Sequence, residues 1–230
     1  MAAGALSAHD PVSPPWSLEQ QLAALRAALP AGTRLLAVSK GHPASSLRQL
    51  VALGQRSFGE SRLQEAIAKQ AELADLAELD WHYIGRLQAN KARAVLRQFG
   101  TIHSVDSLAL AERLARIAAE EGQAPAVFLQ VKLRPDPSKT GLSADELRQL
   151  WPRLQGLEPL RIVGLMTMAP QGFSAAESQA LFGECAALAR ELGLPELSMG
   201  MSGDWPEAAA AGSTWVRVGS GLLGPKSCQA

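Results

Sequence analysis

The sequence predicts an α/β protein folded as one closed (β/α)8 barrel of the TIM type, with an extra helix in front. Two observations carry this. Short apolar runs alternate eight times with amphipathic stretches in roughly 200 residues, which implies parallel strands joined by right-handed helical crossovers. The turn after the first run reads Ser39-Lys40-Gly41-His42-Pro43, without the Gly-x-Gly-x-x-Gly that an open doubly wound sheet would place there.

The elements follow in order. A helix spans 17–29, with Ser17 suited to its cap. Strands are expected at 34–39, 56–59, 81–84, 101–105, 126–132, 161–166, 197–200 and 214–218. Helical patterns rich in Ala, Leu, Glu and Arg fill 43–53, 61–77, 89–98, 107–121, 143–154, 174–192 and 204–211. Residues 1–15 hold three prolines and little periodicity, so they read as a loose extension, and 16–230 as a single domain.

Composition narrows the function. The chain has 230 residues, 47% of them hydrophobic, enough for one large core. Its 22 basic and 22 acidic residues cancel, which argues against nucleic acid or an anionic membrane as partner. No apolar run approaches the roughly 18 residues of a membrane span, and no leader pattern opens the chain. A cytoplasmic protein is expected. Cys185 and Cys228 show no metal-ligand spacing, so neither a zinc site nor a structural disulfide is expected.

The first strand ends at Lys40, and catalytic groups of such barrels sit at the C-terminal ends of strands. By position alone a loop lysine snorkelling to water fits as well. Polar residues at the other strand ends form a coherent set: Glu60 and Ser61, His82 with Asn90 and Lys91, Ser104 and Asp106, Lys132 with Lys139, and Thr167. After the seventh and eighth strands come Gly200-Met201-Ser202-Gly203-Asp204 and Arg217-Val218-Gly219-Ser220-Gly221. Glycine clusters at those two positions suit a phosphate, whose oxygens the backbone amides can approach; the plainer alternative is that they turn the chain.

A phosphate cup facing a strand-end lysine points to a phosphorylated aldehyde such as pyridoxal 5′-phosphate (PLP). Lys132, Lys139 and Arg217 are cations that would favour a neutral, nucleophilic Lys40 amine. Facing a pyridine nitrogen, Arg217 would keep that ring unprotonated and weaken its electron sink. A salt bridge at the barrel rim is the other reading of Arg217.

Seven ordered stretches then resemble one family: Leu36-Ala-Val-Ser-Lys40, Phe58-Gly-Glu60, Trp81-His-Tyr-Ile-Gly85 with Leu87-Gln-Ala-Asn-Lys91, Ser138-Lys-Thr-Gly141, Gly164-Leu-Met166, Ser198-Met-Gly-Met-Ser202, and Val216-Arg-Val-Gly-Ser220. They are similar to the pyridoxal phosphate homeostasis proteins, also called proline synthetase co-transcribed homologues. The resemblance covers about residues 30–225. It implies a barrel like the N-terminal domain of alanine racemase, with Lys40 holding PLP as an internal aldimine, Ser202, Gly219 and Ser220 on the phosphate, and Arg217 at the pyridine nitrogen. Met201, Asn90 and Lys139 complete the expected cofactor-binding set. It further implies a cofactor carrier that balances vitamin B6 pools, passing PLP to apo-enzymes without substantial turnover. Ser61 stands where the family usually has asparagine, and its hydroxyl reaches less far.

The competing class is a PLP-dependent racemase or decarboxylase. Racemisation needs a second acid/base opposite the lysine, which alanine racemase draws from a further domain and a partner subunit. The lone tyrosine, Tyr83, lies within strand three, where packing is expected; His82, Lys132 and Lys139 remain as candidate bases. A sugar-phosphate barrel with Lys40 as a charge partner is a third reading. Without a dimerisation domain, a monomer is expected.

Overall fold

The computed structural model describes residues 16–76, 78–136 and 139–224. The expectations for the 1–15 extension, Pro137, Ser138 and Cys228 lie outside the described residues. Eight parallel strands close in sequence order: β1 (Arg34–Val38), β2 (Ser57–Glu60), β3 (Asp80–Tyr83), β4 (Thr101–Val105), β5 (Ala126–Gln130), β6 (Arg161–Met166), β7 (Glu196–Ser198) and β8 (Trp215–Val218). The ring shuts where β8 pairs with β1, with Leu36 opposite Arg217.

The helices are α1 (Leu18–Ala28), α2 (Ala44–Ala52), α3 (Leu63–Glu72), α4 (Ala92–Gln98), α5 (Leu108–Glu120), α6 (Ala144–Leu154), α7 (Ala175–Glu191), α8 (Trp205–Ala210) and the four-residue α9 (Ser220–Leu223). Reciprocal capping boxes start α1 at Ser17/Gln20, α6 at Ser143/Glu146 and α7 at Ser174/Glu177, satisfying amides that a helix start would leave bare. The segment expected as one helix over 89–98 opens with a 3-10 turn at Ala89–Lys91. The extra helix α1 buries Leu22 and Leu25 in one cluster with Leu35, Val216 and Leu222. Each is worth about 2 kcal/mol of apolar burial.

Strand alternation divides the side chains. Leu35, Ala37, Phe58 and Val216 face outward into the layer beneath the helices. Leu36, Phe128, Met166 and Trp215 fill the barrel interior, with Ile84, Val163 and Met168 against them. A Cβ on Gly59 would sit 3.2 Å from Leu36 Cδ2 and from Ile84 Cδ1, so a bare residue is what admits those two chains.

Candidate functional site

Lys40 follows β1 in a turn and is half-buried. Its neighbours are pinned from outside the barrel wall. Ser39 is fully buried; its amide donates to Gly59 O at 3.1 Å and its hydroxyl to Glu60 Oε1 at 2.7 Å. Lys69 of α3 donates to Ser39 O at 2.7 Å, Glu60 Oε1 at 2.6 Å and Glu65 Oε1 at 2.7 Å. Glu65 Oε1 also accepts from Gly41 N. Burial pushes the Glu60 carboxyl above its ordinary pKa, against the opposing pull of the Lys69 ammonium. The backbone on both sides of Lys40 is thereby fixed by two strands and a helix.

The two glycine clusters meet beside that strand. Gly200 has φ +85°, and a Cβ there would stand 2.6 Å from Ala208 Cβ, so only glycine fits the turn into α8. Met201 N donates to Asp204 Oδ1 at 2.6 Å, tightening the same turn. Amides of Gly219 and Gly221 converge on Ser202 Oγ at 3.3 and 3.2 Å. With both acceptor positions of that oxygen taken, its proton is left to donate outward. A Cβ on Gly219 would lie 3.2 Å from Val38 O, so the cradle abuts β1 two residues before Lys40. Ser220 is exposed at the first position of α9, and Met201 is also exposed.

Arg217 lies inside the barrel rather than in a salt bridge at the rim. Its Nη1 donates to Ser198 O at 2.6 Å and Ser198 Oγ at 2.7 Å, and its Nη2 to Thr167 O at 3.0 Å. Burial lowers its pKa to about 10, so it stays charged at neutral pH. From Ser198 the polar contacts run on through His103 and His82 to Asp80.

His82 therefore departs from its expected place at the mouth. On β3, Asp80 and His82 face inward while Trp81 and Tyr83 face outward, and His82 is 2% exposed with both ring nitrogens occupied. Tyr83 packs as expected, edge-on to Phe99 at 5.2 Å, and burial raises its phenol pKa. Lys139 Nζ donates to Ala169 O at 2.8 Å, tying it to the loop after β6. Asn90 is exposed in the 3-10 turn after β3. Ser61 contributes backbone packing: its carbonyl oxygen would stand 2.3 Å from a Cβ on Gly85. Cys185 is a buried free thiol whose pKa burial pushes up to about 12. A groove of about 790 Å3, lined by Arg86, Asp106, Arg113 and Arg116, runs between the connections after β3 and β4 and does not include Lys40.

Sequence reasoning missed Asp80, His103 and Lys69 as site-building residues and met Ser198 only within the stretch after strand seven. The alternation Asp80-Trp81-His82-Tyr83 was the available signal for the first of these, since it places polar groups on one face of a strand.

Residues 16–227 match the sequence profile of the alanine racemase N-terminal domain. A pyridoxal phosphate homeostasis protein of Synechocystis is 47% identical over 206 residues, 87% of this chain and 94% of that protein. One from Pseudomonas aeruginosa is 44% identical over 200 residues, covering 86% of each. The solved structure of PipY from Synechococcus elongatus with PLP bound superposes at a TM-score of 0.87, with 53% identity over 90% of this chain and all of that one. Alanine racemase of Clostridium difficile shares the fold at TM-score 0.71 and 18% identity, over 89% of this chain and 55% of that one. Among the described residues, no helix is long and apolar enough to cross a membrane. On this combination of sequence and architecture, the chain belongs to the pyridoxal phosphate homeostasis protein family and is built on the alanine racemase N-terminal barrel.

Proposed function

We propose that the chain binds PLP at the barrel mouth through a Schiff base to Lys40 and acts in vitamin B6 homeostasis, holding the cofactor without substantial turnover. The observation that carries this is the convergence of the Gly219 and Gly221 amides on Ser202 Oγ, directly against the strand that ends in Lys40. The Ser202 hydroxyl, whose proton the two amides leave pointing outward, suits a phosphate oxygen as a donor, and the adjacent strand-end amine suits an aldehyde. The PLP-bound PipY relative supports the same reading.

PLP supplies an aldehyde that condenses with amines and a ring that draws electrons when its nitrogen is protonated. This chain's residues favour the first property over the second. Ser202, Gly219 and Ser220 bind the phosphate, with Met201 beside them; Asn90 and Lys139 stand at the rim. Arg217 faces the pyridine nitrogen as a donor that has no proton to spare, and so keeps the ring neutral. Three of the candidate second bases are engaged elsewhere: Tyr83 packs on Phe99, His82 is buried between Asp80 and His103, and Lys139 donates to Ala169 O. Residues 16–230 then form one cofactor-binding unit behind an N-terminal extension, working as a cytoplasmic monomer that passes PLP to apo-enzymes.

Titration of the purified protein with PLP tests this. A saturable visible absorption band at one equivalent is expected, lost in Lys40→Ala, together with no racemase or decarboxylase turnover across the amino acids. A band that survives Lys40→Ala, or appreciable turnover, contradicts the reading.

A further inference from the structure

The barrel interior contains a single file of hydrogen bonds that cofactor binding alone does not require. Arg217 Nη1 lies 2.7 Å from Ser198 Oγ, Ser198 Oγ 2.7 Å from His103 Nδ1, His103 Nε2 2.8 Å from His82 Nδ1, and His82 Nε2 2.6 Å from Asp80 Oδ2. Asp80 opens β3, so the file runs from the mouth side of the barrel to its floor, where the Asp80 carboxylate is about half exposed (48%).

Donor and acceptor chemistry allows one arrangement when both imidazoles are neutral. The guanidinium can only donate and the carboxylate can only accept. Asp80 therefore takes the proton on His82 Nε2, which leaves Nδ1 bare to accept from His103 Nε2. His103 Nδ1 is bare in turn and accepts the Ser198 hydroxyl, whose oxygen accepts from Arg217. Every proton in the file is placed, and all four bonds point from the cation to the carboxylate. The surroundings hold the rings in line: Phe128 stacks on His103 with centroids 4.3 Å apart, and Trp215 meets His82 edge-on at 4.7 Å. Burial, reinforced by the nearby Arg217 guanidinium, pulls the His103 pKa well below its ordinary value and keeps that ring neutral. At the floor, Ser57 Oγ donates to Asp80 Oδ2 at 3.2 Å, and Arg34 pairs with Glu196 at 2.6 Å.

We propose that Asp80, His82, His103 and Ser198 are a relay of positioning residues in which the floor carboxylate fixes the tautomer of each imidazole, committing the Ser198 hydroxyl proton to His103 so that its oxygen faces Arg217 and aims the guanidinium at the mouth. Only the last link, from Arg217 to a bound cofactor ring, rests on the PLP reading above. Asp80 acts across the barrel without touching the cofactor, as a carboxylate behind a histidine orients it and selects its tautomer.

The test has two arms. In the cofactor-free protein, at a pH where both rings are neutral, 15N NMR of the ring nitrogens is expected to show His82 and His103 each protonated on Nε2. Asp80→Asn, whose amide can also donate, is expected to bring in the opposite tautomer at both rings. In the PLP-loaded protein, the pH midpoint of the visible band is expected to fall by about half a unit in Asp80→Asn, roughly threefold in proton affinity, with melting temperature and PLP stoichiometry retained. Ser198→Ala cuts the file at its other end and serves if Asp80→Asn does not fold; the same midpoint shift is expected, with only the His103 Nδ1 resonance moved. Unchanged tautomers in Asp80→Asn overturn the relay, and an unmoved midpoint overturns its coupling to Arg217. A wild-type protein that takes up no PLP contradicts the proposed function while the first arm still reads the file itself.

Discussion

Outside the barrel wall, Ser39, Glu60, Glu65 and Lys69 form a charged knot between two strands and α3; inside it, Arg217, Ser198, His103, His82 and Asp80 form a file with a guanidinium at one end and a carboxylate at the other. The knot holds backbone: Lys69 and Glu65 grip Ser39 O and Gly41 N, the two residues that flank Lys40. The file holds a side chain, the Arg217 guanidinium. The two also differ in completeness. Glu60 Oε2 is buried and, among the described residues, without a hydrogen-bond partner, whereas each nitrogen of both imidazoles has one. Ion pairing inside a protein is costly to half-remove, and a directional file is costly to misprotonate.

The largest expected effect comes from breaking the knot. Lys69→Met strands the Glu60 carboxyl, and a stability loss of about 3–5 kcal/mol is expected in urea unfolding, with much of it recovered when Glu60→Gln is added. Little recovery in the double variant would mean that packing of the Lys69 stem, not its charge, is what α3 supplies.

A smaller effect probes the file through pH. The unfolded chain takes up a proton on His103 near the ordinary value of 6.5, while the buried ring does not. Its contribution to stability is thus complete above that pH and falls as the pH drops, with the loss read between pH 6.5 and 5. Denaturant titrations at the two pH values should show that loss in the wild type and a shallower one in His103→Gln. Equal slopes would indicate that the ring takes up a proton in place.

The smallest is Ser39→Ala, which removes one hydroxyl from Glu60 but leaves Lys69 in place. A loss of about 1.5 kcal/mol is expected, with little change in PLP uptake. A large drop in uptake would show that the knot tunes Lys40 directly as well as holding its backbone.

Much of the fold was legible because eight apolar runs alternate with capped amphipathic helices, and the capping serines sit where the helices begin. Lys40, Arg217 and the two glycine clusters stand out as candidates because charge or bare backbone at a strand end is chemically conspicuous. The rest was hidden for physical reasons. Reading the third strand as 81–84 instead of Asp80–Tyr83 left Asp80 out, and with it the floor of the file. Interior positions of such barrels are usually branched apolar residues, so a His–His pair between two strands had no local signature. Lys69 reads as a solvent-facing helix residue, since only the fold brings Glu60 beneath it. The expected 126–132 strand stops at Gln130 because Lys132 N turns to Leu142 O and leaves the barrel. The short α9 was missed because its Ser-Gly-Leu-Leu is too brief for periodicity.

Whether Lys40 carries the cofactor is tested most directly by borohydride reduction of the PLP-treated protein followed by peptide mapping. One pyridoxyl group is expected, on Lys40. A protein left unlabelled, or labelled only at Lys139, would contradict it.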